Sequence, residues 1–373
     1  MQAQKKPKFN DDVWEISKNG FLPSQKPIEL ECMSPYKQLF ERMKKNGINE
    51  EEIKELPDIT ELIKNMKAIE LESALQVLCY ILHFYVVKSG KSVVPDKISK
   101  PFLEICSLLK RPTIITYASC VLFNWKKCKD KKTILEGKDL MLSFTDNHNE
   151  DTFFLVHLEI ERRAIPIVNA IQELVKIMDS KKGSEQFPKH LDTIIKSIEE
   201  ISSFMKNMFE CDTNFFFNEL RPFVSSLKDI VLGEGGKAVN LGGASGAQSS
   251  IFPSLDAFLG ITKENELFKK QINTFQQYMP WQHQRWLESL EKRVGMFSWI
   301  KENNQIFSEL KDQVYQKSIE LIKTISKFRK FHLGLTHHFI SKNISVGTGG
   351  SPFKAFLEEH IKTTNKFISY FEN

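Results

Sequence analysis

Near the C-terminus one histidine stands inside an apolar stripe. On a helix through Ile325–Leu335 (ISKFRKFHLGL), His332 shares a face with Ile325, Phe328, Leu335 and Phe339. An imidazole set in that stripe faces a core. Two chemistries fit it. One is a core histidine hydrogen-bonded to a neighbour. The other is a neutral imidazole aimed into an apolar cavity as an axial ligand to haem iron. Arg329, one turn earlier, would then be placed to pair with a haem propionate.

Other residues bear on the choice. His157 lies on an apolar helical face with Phe153, Ile160, Ala164, Val168 and Ile171. Arg221 closes the aromatic run Phe215-Phe216-Phe217-Asn218-Glu219-Leu220, and a guanidinium beside rings suits an aromatic amino acid, gripping its carboxylate bidentately. Two glycine-rich stretches, Gly233–Ser250 and Gly347–Ser351, are either flexible loops or backbone that closes over a ligand. Neither is a nucleotide motif. Gly235-Gly236-Lys237 is followed by alanine, and no strand precedes either stretch.

The elements that must position these residues read as helices. Ser34 as N-cap with Pro35 at the first helical position opens a helix over 35–45, and Asn49 opens a short one that Pro57 stops. Leu71–Val87 is apolar on nearly all sides, as a buried helix is. Thr113–Asn124, Phe187–Phe209, Asn214–Val224, Ser254–Leu259, Glu264–Tyr278, Trp281–Glu291 and Ile306–Ile340 carry further helical patterns. Thr152–Met178 contains Pro166, which predicts a kink near Arg162-Arg163. No period-two series or βαβ alternation is evident, so the fold class is all-α. The polar segment Asp146–Asp151 divides a small helical domain (1–145), with an extended arm over residues 1–30, from a larger helical domain (146–373).

Composition narrows the function classes. The 373 residues carry a hydrophobic share of 41%, a charged share of 27% and 29 phenylalanines, as an ordinary globular protein with aromatic clusters does. The net charge of +5 (52 basic against 47 acidic) is spread along the chain. The densest basic run, Lys126–Lys132, has no interleaved aromatics and reads as a solvated loop, so no nucleic-acid partner is expected. Six cysteines form no Cys-x-x-Cys pair or haem-attachment motif, which suits a reducing cytosol. Met1–Lys6 has no apolar signal region, and Val77–Val87 is too short to span a bilayer. A soluble, cytoplasmic protein is expected, with no membrane partner.

Five stretches, in this order, resemble the indoleamine 2,3-dioxygenase family of haem enzymes. They are Tyr117–Lys127 (YASCVLFNWKK), Phe153–His157 (FFLVH), Phe216-Phe217 with Leu220-Arg221, Gly242–Gly260 (GGASGAQSSIFPSLDAFLG), and Arg329–Leu333 (RKFHL) followed by Gly347-Thr348-Gly349-Gly350. The resemblance runs from about Pro112 to the C-terminus. It implies a small helical domain packed on a larger one, with haem b between them.

The resemblance also implies roles. His332 would be the proximal iron ligand, Asp256 an acid that tunes it through water, and Arg329 the propionate partner. Arg221 would bind the substrate carboxylate. Tyr117, Cys120, Phe153, Phe216 and Phe217 would line the pocket, with Gly243, Ala244, Ser245 and Thr348 beside the substrate's amino-acid end and the haem. The implied activity is insertion of both atoms of O2 across the indole C2–C3 bond of L-tryptophan or a related indoleamine. The product is N-formylkynurenine, made in the first step of the kynurenine pathway by a monomer using an external reductant. Two departures stand out. Vertebrate members carry serine where this chain has His157, whereas the sister tryptophan 2,3-dioxygenases use histidine to accept the indole N–H. The glycine-rich loop, GGSAGQSS in the family, reads GGASGAQSS, and Asp229–Asn240 lacks the family's tryptophan-containing stretch. His157 also suits a haem-binding O2 carrier or sensor of the same fold, or another haem reaction on a tryptophan-derived substrate.

Overall fold

The computed structural model describes residues 13–128, 133–340, 347–349 and 353–372. Residues 1–12 of the arm, 129–132 of the basic run and 350–351 of the second glycine-rich stretch lie outside them. Helices dominate, and one continuous apolar cluster runs through the molecule from Val13 to Phe371.

Helix Ala68–Ser89 is the axis of the N-terminal half. It is hydrophobic on every side and packs on Asp96–Leu109 and Ser34–Asn46. Its 22 residues are long and apolar enough to cross a membrane, more than the run noted in the sequence, yet 83% of its most apolar window is buried inside the protein. The polar groups on this helix are paired, as burial requires. Glu72 Oε1 accepts from Trp14 Nε1 (2.8 Å) and Arg111 Nη1 (3.4 Å), and Gln76 Nε2 donates to Asn124 Oδ1 (2.8 Å). Val13–Leu30 has no helix and lies over the body, with Val13, Trp14 and Phe21 buried.

In the C-terminal half, helix Lys311–Ile340 packs along Phe187–Phe204 and against Phe353–Lys366. The long pattern through Pro166 is two helices, His148–Arg163 and Ile165–Ser180, with Pro166 in the first turn of the second. The missing N–H of proline costs nothing there. Asn147 caps the first by accepting from Asn149 N (2.9 Å). At the expected domain boundary, buried Glu150 accepts from Phe144 N, Ser143 Oγ, and both Thr145 N and Oγ1, so the connection is clasped to the helix it enters.

Three expectations need correction. Thr113–Asn124 is no continuous helix: only Ala118–Leu122 coils, as a π-turn. The β-branched run Thr113–Thr116 after Pro112 is a poor helix former, and its amides find tertiary partners instead, Ile115 N bonding His83 Nε2 at 3.1 Å. Short strands also occur. Val93–Val94 pairs parallel with Leu227–Leu232, which pairs antiparallel with Ala238–Leu241, and Lys126–Lys127 pairs with Lys138–Asp139, so a strand does precede the Gly233–Ser250 stretch, though without the spaced glycines of a nucleotide motif. The first long helix begins at Ser34, one residue early, because a 3-10 turn over Glu31–Met33 leads into it.

Candidate functional site

Helices His148–Arg163 and Lys311–Ile340 both line a cavity of about 310 Å³, within the ~300–1,000 Å³ range of small-molecule sites. Along Asp151–Ile160 only Phe153 and His157 retain exposure, and both line this cavity. From the other side Lys311–Ile340 presents Phe328, Arg329, His332, Leu335 and Phe339. The periodicity that put His332 on an apolar stripe therefore aims it into a cavity wall.

Aromatic rings form that wall. Phe153 stacks on Phe216 at 4.7 Å, and Phe216 meets Phe339 edge-on at 5.5 Å. Phe252 stacks on Phe328 at 4.1 Å, and the His332 ring lies parallel to Phe328 at 6.0 Å. Tyr117 meets His157 edge-on at 6.1 Å, with Cys120 beside it on the wall.

The two histidines are neutral for a shared reason. Burial pushes His332 down to about 4, with a further contribution from His157, and burial lowers His157 as well. His157 Nδ1 lies 2.7 Å from the Phe153 carbonyl oxygen. A carbonyl can only accept, so Nδ1 carries the proton and Nε2 is left as an acceptor.

Arg329 and Asp256 face each other at the cavity's edge, both almost fully buried. Arg329 Nη2 donates to Asp256 Oδ1, while Nη1 donates to the His360 carbonyl (3.2 Å) and Thr364 Oγ1. The sequence resemblance gives these two residues separate partners, a propionate and a water-linked imidazole. The structure pairs them with each other, as two buried opposite charges require. Burial raises the Asp256 carboxyl and Arg329 opposes that rise.

The glycine-rich segments meet. A Cβ on Gly243 would lie 2.2 Å from the Val224 oxygen, so only glycine lets these strands of backbone pass. Gly349 sits against Phe275 and Ser245, and a Cβ on Gly242 would come 3.2 Å from the Gly349 oxygen. Ala244, Ser245, Thr348 and Gly349 thereby share the cavity wall. Gly350 lies outside the described residues.

Phe217, Arg221 and Gly243 are not on that wall. Arg221 is nearly buried with its guanidinium 5.7 Å from the Phe217 ring, on the short helical turn whose neighbours Phe216 and Val224 do reach it. Burial lowers the Arg221 pKa.

A scan against family models identifies the family directly: the indoleamine 2,3-dioxygenase model matches residues 10–345. The chain belongs to the indoleamine 2,3-dioxygenase family. It is 30% identical to mouse indoleamine 2,3-dioxygenase 1 over 358 residues, covering 87% of this chain and 86% of that one. It is 26% identical to the yeast indoleamine 2,3-dioxygenase over 298 residues (73% and 65%). A 6-hydroxytryptophan 2,3-dioxygenase of Fusarium equiseti is 25% identical over 263 residues (66% and 62%).

The cavity fits the haem such enzymes use. Among the described residues no group of three or more His, Cys, Asp or Glu side chains converges as a metal cage would need. Neutral imidazoles of His332 and His157 on an apolar, ring-lined cavity, with a buried arginine on its wall, suit a macrocycle-borne iron that takes one axial histidine. Sequence spacing missed three residues of the site. His360 lines it from the C-terminal helix, Gln248 ties Tyr117 to Gly243, and Glu161 lies behind the wall. His360 did carry a signal, sharing a helical face with Leu357 and Thr364.

Proposed function

We propose that the protein is a haem-dependent dioxygenase that opens the indole C2–C3 bond of L-tryptophan or a related indoleamine to give N-formylkynurenine. One observation carries the reading: neutral His332 and His157 flank one aromatic cavity, in a chain matched by the indoleamine 2,3-dioxygenase model over residues 10–345. Haem b, when bound, supplies O2 activation. His332 holds the iron, Arg329 meets the propionates from the cavity's edge, and Asp256 holds Arg329 in place. Phe153 and Phe216 clamp the indole ring, and Phe217 lies under the Arg221 guanidinium. The ring-lined cavity excludes water from the reacting carbons.

The remaining residues position the substrate. His157 Nε2 accepts the indole N–H, a role its Nδ1–carbonyl bond favours over donation to bound O2, because an unprotonated Nε2 has no proton to give. Ser245, Thr348 and Ala244 meet the amino-acid end, and Gly243, packed on the Val224 and Ser225 backbone, sets the course of that segment. Arg221 turns from Phe217 toward the substrate carboxylate, which would offset the cost of its burial. The proposed setting is cytoplasmic, consistent with six free cysteines, for a monomer of a small domain (1–145) on a larger one (146–373) that draws on an external reductant.

The test is reduction of the haem-loaded protein without air, then addition of tryptophan and air with detection of N-formylkynurenine. Reversible O2 binding without product would instead favour a carrier or sensor, for which Ser245 and Thr348 on the wall have no evident use.

A further inference from the structure

Glu161 is 2% exposed, yet the groups acting on its carboxyl are hydroxyls and not cations. It stands one helical turn after His157, on the helix that carries the His157 wall. Ser249 Oγ donates to Glu161 Oε1 at 2.6 Å. Ser249 and Tyr117 both line the cavity, whereas Glu161 does not. The connection continues: Tyr117 N donates to Gln248 Oε1 (2.9 Å), and Gln248 Nε2 to the Gly243 oxygen (2.8 Å). The buried carboxyl therefore ties the glycine-rich segment to the His157 helix, and Gln248 ties the same segment to the Tyr117 turn.

Burying a carboxyl without a cation is costly, and burial lifts this one to about 7. A leucine would fill the space without that cost, so the carboxyl's use lies in the Ser249 hydroxyl it holds. We propose that Glu161 is a positioning residue for the substrate. Through Ser249 it fixes the Gly242–Ser250 segment to the His157 helix, and Gln248 of that segment in turn holds the Tyr117 turn. This rests on the cavity being the indole site.

The experiment compares the haem-loaded wild type with Glu161→Leu, Ser249→Ala and Glu161→Gln by backbone hydrogen exchange and by tryptophan kinetics. Ser249→Ala breaks the same bond from the other side should Glu161→Leu fold poorly. In Glu161→Leu and Ser249→Ala, exchange over residues 243–250 should rise at least about tenfold while helix Ala68–Ser89 is unchanged. KM for tryptophan should rise about 5- to 30-fold with kcat within about threefold, the scale of one or two lost hydrogen bonds. Glu161→Gln keeps an acceptor for the Ser249 hydroxyl and should stay within about threefold of wild type on both readouts. Unchanged exchange over 243–250, or an unmoved KM, in Ser249→Ala overturns the proposal. Should wild type oxidise no tryptophan, the functional reading falls, and the exchange readout alone decides whether Glu161 fixes the segment.

Discussion

Replacing His157 with leucine should abolish the enzyme's ability to tell tryptophan from 1-methyltryptophan. The 2.7 Å contact of Nδ1 with the Phe153 oxygen leaves Nε2 as an acceptor on a mostly apolar wall, beside the Phe153 and Tyr117 rings. An indole N–H placed there loses its water and gains one partner. With leucine at 157 that N–H is buried unpaired, at a cost of about 1–3 kcal/mol. The corresponding loss in kcat/KM for tryptophan is roughly 5- to 150-fold. 1-Methyltryptophan has no N–H to lose, so its kcat/KM should change little. The assay is steady-state kcat/KM for both substrates in both proteins, normalised to haem content. The ratio of ratios cancels the steric effect of the methyl group. A His157→Leu protein that discriminates as the wild type does would refute the acceptor role. A shifted absorption spectrum of the substrate-free variant would point to iron ligation by His157 instead.

Two further outcomes follow from the geometry. Arg221→Ala should retain haem and O2 binding but lose most tryptophan turnover, with indole derivatives lacking the carboxylate affected far less; equal loss on both would place Arg221 in the scaffold. His83 is fully buried, with Nδ1 2.7 Å from the Phe223 oxygen and Nε2 accepting from Ile115 N, and burial lowers it from 6.5 to about 4. Its stabilisation is present above pH 6.5 and lost as pH falls through about 4, up to about 3 kcal/mol. Urea unfolding from pH 7.5 to 4.5 should fall more steeply for wild type than for His83→Gln, and parallel curves would contradict this.

Patterning reveals those parts of the protein whose causes are local. Trp281–Glu291 begins and ends where its apolar spacing and Pro280 place it, and the break before Pro166 follows from a missing N–H. His332 and His157 were visible because each occupies a helical face. Other features depend on partners far along the chain. Val93 pairs with Val231, and Thr113–Thr116 forgoes helix because His83 satisfies an amide there. The Arg329–Asp256 pairing and the Ser249–Glu161 bond are likewise set by tertiary packing. A charged residue inside an apolar pattern shows that some partner must exist, but not which one.

The most direct measurement is an absorption spectrum of purified wild type and His332→Ala after haem loading, followed by tryptophan and isotopically labelled O2. The account predicts a Soret band in wild type that His332→Ala loses, and a product carrying both labelled oxygen atoms. Haem held equally well without His332, or a wild-type product with fewer than two labelled atoms before exchange with water, would contradict it.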